Sequence, residues 1–283
     1  MNPALMYAVC ASFLFALMNA AAKYLSSYMT VPEIVFYRGV IGIALTLSIM
    51  RWKKIPFEVK NWPLLVSRGL FGGASLLLAF MAISSIALTE ASFLAHLSPL
   101  FTVCLGTLVL KEAMPRGFSP LLITACAGAL LVASPWQASI HAYYAGIGVV
   151  GAFLASSASL AIRRLSVDHN NYTIMLGFLA AATVLPIPFV NWSALSTPNS
   201  QTVVAILLLG SVSFLGQYCL TQAYRLERAG VVAMTRYIGV LFHLILGYIV
   251  WRELPSVAGL TGGLMILIAS FRLSRLLQRK KSV

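Results

Sequence analysis

Leu100-Phe101-x3-Leu105-Gly106-x2-Val109-x-Lys111-Glu112 returns 141 positions later, without a gap, as Leu241-Phe242-x3-Leu246-Gly247-x2-Val250-x-Arg252-Glu253. Six identities and one Lys/Arg exchange in thirteen positions exceed what apolar composition gives by chance. A period close to half the chain length signals two copies of one unit, and such a repeat constrains the fold before any local assignment. Each copy reads as an apolar helix ending in a basic–acidic pair, with Pro115 or Pro255 soon after.

The surroundings of both copies are equally apolar. The 283 residues are 60% hydrophobic and only 10% charged, with a mean hydropathy of +0.89. A soluble domain carries about 25% charged residues, so the expected class is an all-α membrane protein. Ten spans can be drawn, at about 4–22, 33–50, 64–84, 88–110, 117–135, 143–162, 173–190, 202–222, 229–250 and 256–273. Crossing about 30 Å of hydrocarbon takes roughly 20 helical residues. Span 1 lacks the charged n-region of a signal peptide. It also aligns with the second half, Ala11–Leu25 over Gly151–Leu165, and so reads as part of the fold.

A net charge of +13 raises nucleic acid as a partner, but the placement of the charges excludes it. With the N-terminus inside, inner loops and the tail collect fifteen lysines and arginines against two outside, Lys23 and Arg252. That bias orients helices in a bilayer. Both termini are therefore expected in the cytoplasm and the chain in the inner membrane. Five spans per half is an odd number, so the second half enters inverted: Lys111-Glu112 falls inside and Arg252-Glu253 outside. The expected units are 1–136, 142–275 and a basic tail at 276–283. Inverted repeats are the architecture of secondary transporters. Small residues Ala125, Ala127 and Gly128 in span 5, and Gly259, Gly262 and Gly263 in span 10, allow close packing within a monomer or between two protomers.

With that arrangement in place, the chain resembles the drug/metabolite transporter superfamily, specifically its ten-helix members built from two EamA-type repeats. The residues that carry the resemblance are Phe36-Tyr37-Arg38-Gly39, Arg68-Gly69, Leu97-Ser98-Pro99-Leu100-Phe101 through Glu112, Gln222-Ala223-Tyr224 and the block from Leu241 to Pro255. The resemblance covers essentially the whole chain. It implies a carrier working by alternating access, and looks equally like amino-acid exporters and carriers of S-adenosylmethionine type.

Ionisable residues inside a span are costly and are candidates for function. Arg38 either pairs with Glu90 or snorkels to the interface, or it faces a cavity and grips a carboxylate or phosphate. Arg236 replaces Ala95 of the other repeat, so the fold itself does not ask for it. The spacing places Arg236, Val240, His243 and Gly247 on one helical face, with Glu227 as an alternative neutralising partner. Tyr237 stands where the first repeat has His96. His96 lies three residues before Pro99, which invites a kink. It reads either as a proton carrier or as a packing histidine, and so does His243. Gln217, Thr221 and Tyr224 form one polar stripe; Ser12, Phe15, Asn19 and Lys23 form another. Each is either a cavity wall or interhelical glue.

The four cysteines (Cys10, Cys104, Cys126, Cys219) read as buried, inert thiols without metal-ligand spacing, and Trp52, Trp62, Trp136 and Trp192 occupy belt positions. There is no Gly-rich phosphate loop, no HExxH and no clustered Asp pair, so no enzyme, metal or cofactor is expected. The leading expectation is an exporter of a small anionic or zwitterionic metabolite, amino-acid-like or nucleoside-like, with proton coupling through His96 or Glu90. The alternatives are uptake or exchange of an S-adenosylmethionine-type solute, a proton-coupled exporter of lipophilic cations using Glu90, and a non-transporting membrane scaffold.

Overall fold

A computed structural model describes residues 3–110, 117–137, 140–195, 199–227, 232 and 235–279. All regular structure among them is helical: α1 (Pro3–Leu25), α2 (Val31–Trp52), α3 (Trp62–Ser85), α4 (Leu88–Ala95), α5 (Ser98–Leu110), α6 (Phe118–Ala133), α7 (Ile140–Leu165), α8 (Asn171–Val184), α9 (Ser200–Leu226), α10 (Ile238–Trp251) and α11 (Val257–Arg279). Eight stretches are long and apolar enough to cross a membrane, with α4 and α5 counting together as one, and α6 and α10 are shorter apolar helices. The chain is a multi-pass membrane protein. Lys111-Glu112, which ends the first copy of the repeat, lies outside the described residues.

Side-chain caps start several of the helices. Thr30 and Glu33 form a capping box at α2, and the side chains of Asn61, Asn170 and Asn199 accept from Leu64, Thr173 and Thr202 N–H groups. Each satisfies an orphan donor of a first turn, worth about 1 kcal/mol.

The two halves pack reciprocally. α1 lies against α9 while α3 lies against α7, so the first span of each half meets the third span of the other. The remaining spans meet their own counterparts: α2 with α8, α4 with α10, and α6 with α11. The small-residue stripes meet each other inside one chain, with a Cβ at Gly128 falling 2.5 Å from Gly262 O. They are thus used in holding α6 to α11.

Large apolar residues such as Leu108, Ile123, Val204 and Ile249 are exposed on the outside of the bundle, where lipid replaces water. Cys10 and Cys126 are exposed there too, and Cys104 is half-buried, so of the four thiols only Cys219 is buried as expected. A cysteine is apolar enough to face lipid as well as core.

Candidate functional site

Spans 4 and 9, expected as continuous helices, are each interrupted at the same place. α4 stops at Ala95; His96 and Leu97 make short-turn bonds to Phe93 O and Leu94 O, both 3.0 Å, before α5 begins. Pro99, without an N–H, explains the first break. In the second repeat α10 begins only at Ile238, with Arg236 and Tyr237 in a turn before it. No proline accounts for this second break. Arg236 therefore precedes the helix, while Val240, His243 and Gly247 form its buried face.

The broken ends meet. His96 and Tyr237, equivalent in the repeat register, lie 5.2 Å apart between ring centroids, and Phe271 is 6.5 Å from Tyr237. The His96 Nδ1–H donates to Ser92 O at 2.7 Å, leaving Nε2 as an acceptor, and the His96 carbonyl accepts from Ser270 Oγ at 2.9 Å. His243 is held in the same tautomer: its Nδ1–H donates to Gly239 O at 2.6 Å, and its Nε2 accepts the Asn19 amide at 2.8 Å. Both histidines lie in one patch with Arg236, whose side chain is half-buried and, among the described residues, forms no ion pair, with Glu227 or any other acid. An open cleft of ≈ 340 Å³ runs past Tyr237 and is also lined by Leu267, Ile268, Phe271, Arg272 and Arg275.

The span 1 stripe runs along α10. Ser12 packs beside Gly239, Asn19 reaches His243, and Lys23 reaches Glu253. The stripe thus faces the interior, as polar residues on a membrane helix should.

Arg38 does not pair with Glu90. Its guanidinium is fully buried, lies 5.5 Å from the Phe178 ring centroid, and shares that ring with Arg68 at 4.5 Å. Arg68 borders a narrow cavity whose wall includes Gln217 and Thr221 of the span 8 stripe. The side chain of Tyr224, the third member, lies outside the described residues.

Glu90 belongs instead to a cluster at one end of the bundle. It is buried, accepts from His141 Nε2 at 2.9 Å, and lies 2.5 Å from where a Gly259 Cβ would be. Beside it, Lys23 pairs with Glu253 and donates to Ile86 O at 2.9 Å, while Glu253 accepts from Leu88 N at 3.2 Å. These bonds fasten α1, the α3–α4 turn and the end of α10 together. An acid so engaged is poorly placed to exchange lipophilic cations. Glu90→Ala and His141→Ala should each cost about 1–3 kcal/mol of stability, since either leaves a polar partner unmet. Thermal unfolding in detergent should show the double variant losing less than the sum of the two. Strict additivity would mean that the pair is not coupled.

Sequence reasoning missed Arg68 as a site residue, along with Phe178, His141 and the Lys23–Glu253 pair. One signal was available. With the α2 and α8 caps Thr30 and Asn170 superposed, Arg38 falls on Phe178, the ring it covers. Among the described residues no group of His, Cys, Asp and Glu is arranged to hold a metal ion.

Reciprocal half-to-half packing and two helices broken at one repeat position define a helical membrane protein built of two repeats. The EamA-like transporter family matches residues 2–134 and again 143–275. The chain belongs to that family and is a transporter, not an enzyme. It is 40% identical over 269 residues to the pseudopaline exporter CntI of Pseudomonas aeruginosa, covering 95% of this chain and 94% of that one. It is 24% identical over 280 residues to a riboflavin transporter of Brucella anthropi, covering 95% and 97%. A solved crystal structure superposes with a TM-score of 0.65 over 100% of this chain and 98% of its own, at 18% identity, which establishes a shared fold.

Proposed function

We propose that this chain is a ten-span secondary transporter of two inverted five-helix repeats that exports a small anionic or zwitterionic metabolite across the inner membrane by alternating access. The observation that carries this reading is the meeting of the two helix breaks, His96 against Tyr237, with Arg236, Asn19 and His243 around them. Broken helices expose unpaired backbone groups at depth, tolerable only against protein or a wet cavity, and carriers of inverted repeats bind solute there. Arg236 supplies a donor fork for a carboxylate or phosphate, and the ring pair supplies a flat wall for a planar body. Both termini are cytoplasmic in this arrangement. The relative named as an exporter supports the outward direction and a metabolite as cargo.

Proteoliposomes holding the purified chain test it. Labelled amino acids, nucleosides and pseudopaline are assayed in both directions, with and without an imposed pH gradient. The expected result is movement of at least one anionic or zwitterionic solute, stimulated by a proton gradient in the parent chain and insensitive to it in His96→Gln. Transport of lipophilic cations alone would overturn the substrate class. Gradient dependence surviving in His96→Gln would remove that residue from coupling.

A further inference from the structure

Arg38 and Arg68 are buried basic side chains that no acid among the described residues neutralises. Their side chains are buried, at 1% and 6% residue exposure, and Nε and Nη1 of both lack a hydrogen-bond partner. Among the described residues neither guanidinium has an ion pair, and the group that shares the Phe178 ring with Arg38 is a like charge, Arg68. Burying one unpaired cation is strongly unfavourable, and burying two together is worse. The face of Phe178 offsets part of this through its ring quadrupole, but it accepts in line none of the N–H groups on these four donor nitrogens.

The surroundings are built to hold the pair. Arg38 lies seven positions into α2 and Arg68 six positions into α3, about 10 Å from opposite ends at 1.5 Å per residue. Both guanidinium groups nevertheless reach the ring of Phe178 of α8. Gly72 leaves the space that Arg68 Nη1 occupies, since a Cβ there would collide with it. Gly69 against Gly177 O, at 2.8 Å from its would-be Cβ, brings α3 and α8 close enough to clamp the ring. Beyond Arg68 the space open to a small group is ≈ 20 Å³, about one water, bounded by Met175, Gln217 and Thr221. A water there accepts at most two of the four donors and offsets no charge.

We propose that Arg68, stacked on Phe178 and lining this cavity, forms an internal anion site that takes one negatively charged atom of water size, with Arg38 on the same ring adding positive charge. That atom is either a carboxylate oxygen on the transported solute or a free chloride ion. The site is separate from the helix-break site and goes beyond the function proposed above.

Thermal unfolding of the purified full chain is followed while sodium chloride or sodium glutamate is titrated, ionic strength being held with a bulky sulfonate. The parent chain should be stabilised saturably by at least one of the two. Chloride alone identifies a resident ion, and glutamate identifies the carboxylate of a solute. Arg68→Lys, which keeps the charge and loses the planar fork, should bind about 10- to 150-fold more weakly. Arg68→Gln should fold without added anion and lose the response altogether. If Arg68→Gln does not fold, the shift in half-saturation of Arg68→Lys decides. Arg236→Ala should keep the parent response to chloride, so failure here leaves the helix-break site untouched. An unresponsive parent chain, or half-saturation in Arg68→Lys equal to the parent's, overturns the proposal.

Discussion

Arg236→Ala is expected to abolish transport while leaving the folded yield near that of the parent chain. The side chain stands in the turn ahead of α10, half-buried, and makes no ion pair among the described residues, so its loss strands no buried acid. What holds the turn is main chain: Arg236 N–H bonds Val232 O at 3.1 Å, and Gly239 N–H bonds Arg236 O at 2.9 Å. Truncation beyond Cβ leaves both. A solute carboxylate or phosphate, by contrast, loses its charge-assisted contact, worth about 1.5–3 kcal/mol. Arg236→Lys keeps charge but not fork geometry and should retain only a small part of the rate. Substrate-dependent thermal stabilisation of the purified chain checks this independently of flux. Stabilisation in Arg236→Ala equal to the parent's would assign Arg236 to the fold.

Gly262→Leu should yield almost no folded protein. The α6–α11 contact is backbone on backbone: a Cβ at Gly262 would strike Gly128 O and lie 2.8 Å from Leu131 Cβ and 3.0 Å from Val132 N. None of these atoms belongs to the free end of a side chain that can swing away. In a bilayer such close approach is also what drives helix association, since lipid is as apolar as leucine. Overpacking costs about 1–3 kcal/mol where a core can shift, and here two helix axes must separate. Monodisperse protein recovered in detergent is the measure. A yield equal to the parent's would mean that α6 and α11 are not held together by this seam. Gly146, with nothing near its would-be Cβ, is the control position and should accept alanine without loss.

The class of protein was legible because hydrocarbon imposes a simple condition on sequence: every buried backbone group must be bonded within its own helix, so spans appear as long apolar runs. The repeat was legible for a related reason. Thirteen positions around Gly106 and Gly247 survive in register, and such periodicity needs no tertiary information. The polar stripe Ser12, Asn19, Lys23 pointed inward as its spacing required. The small residues of spans 5 and 10 were rightly marked for close packing, but sequence left open whether within one chain or between two.

Pairing was not legible. Arg38 and Glu90 were a sensible couple by charge, yet Glu90 is taken by His141 and Arg38 shares a phenylalanine with Arg68. Which groups meet depends on how the helices rotate and cross, and that is decided by contacts spread over many glycines, not by any residue in the pair. The second helix break had no local sign either, for no proline stands at Tyr237. By itself, then, the sequence determined the membrane class, the two-copy architecture and the set of polar residues held at depth, because burial in lipid and internal duplication both leave one-dimensional traces. Only the tertiary structure decided that His96 meets Tyr237, that Asn19 meets His243 and that two arginines share one ring, because those contacts join residues up to 224 positions apart, through packing that no single stretch encodes.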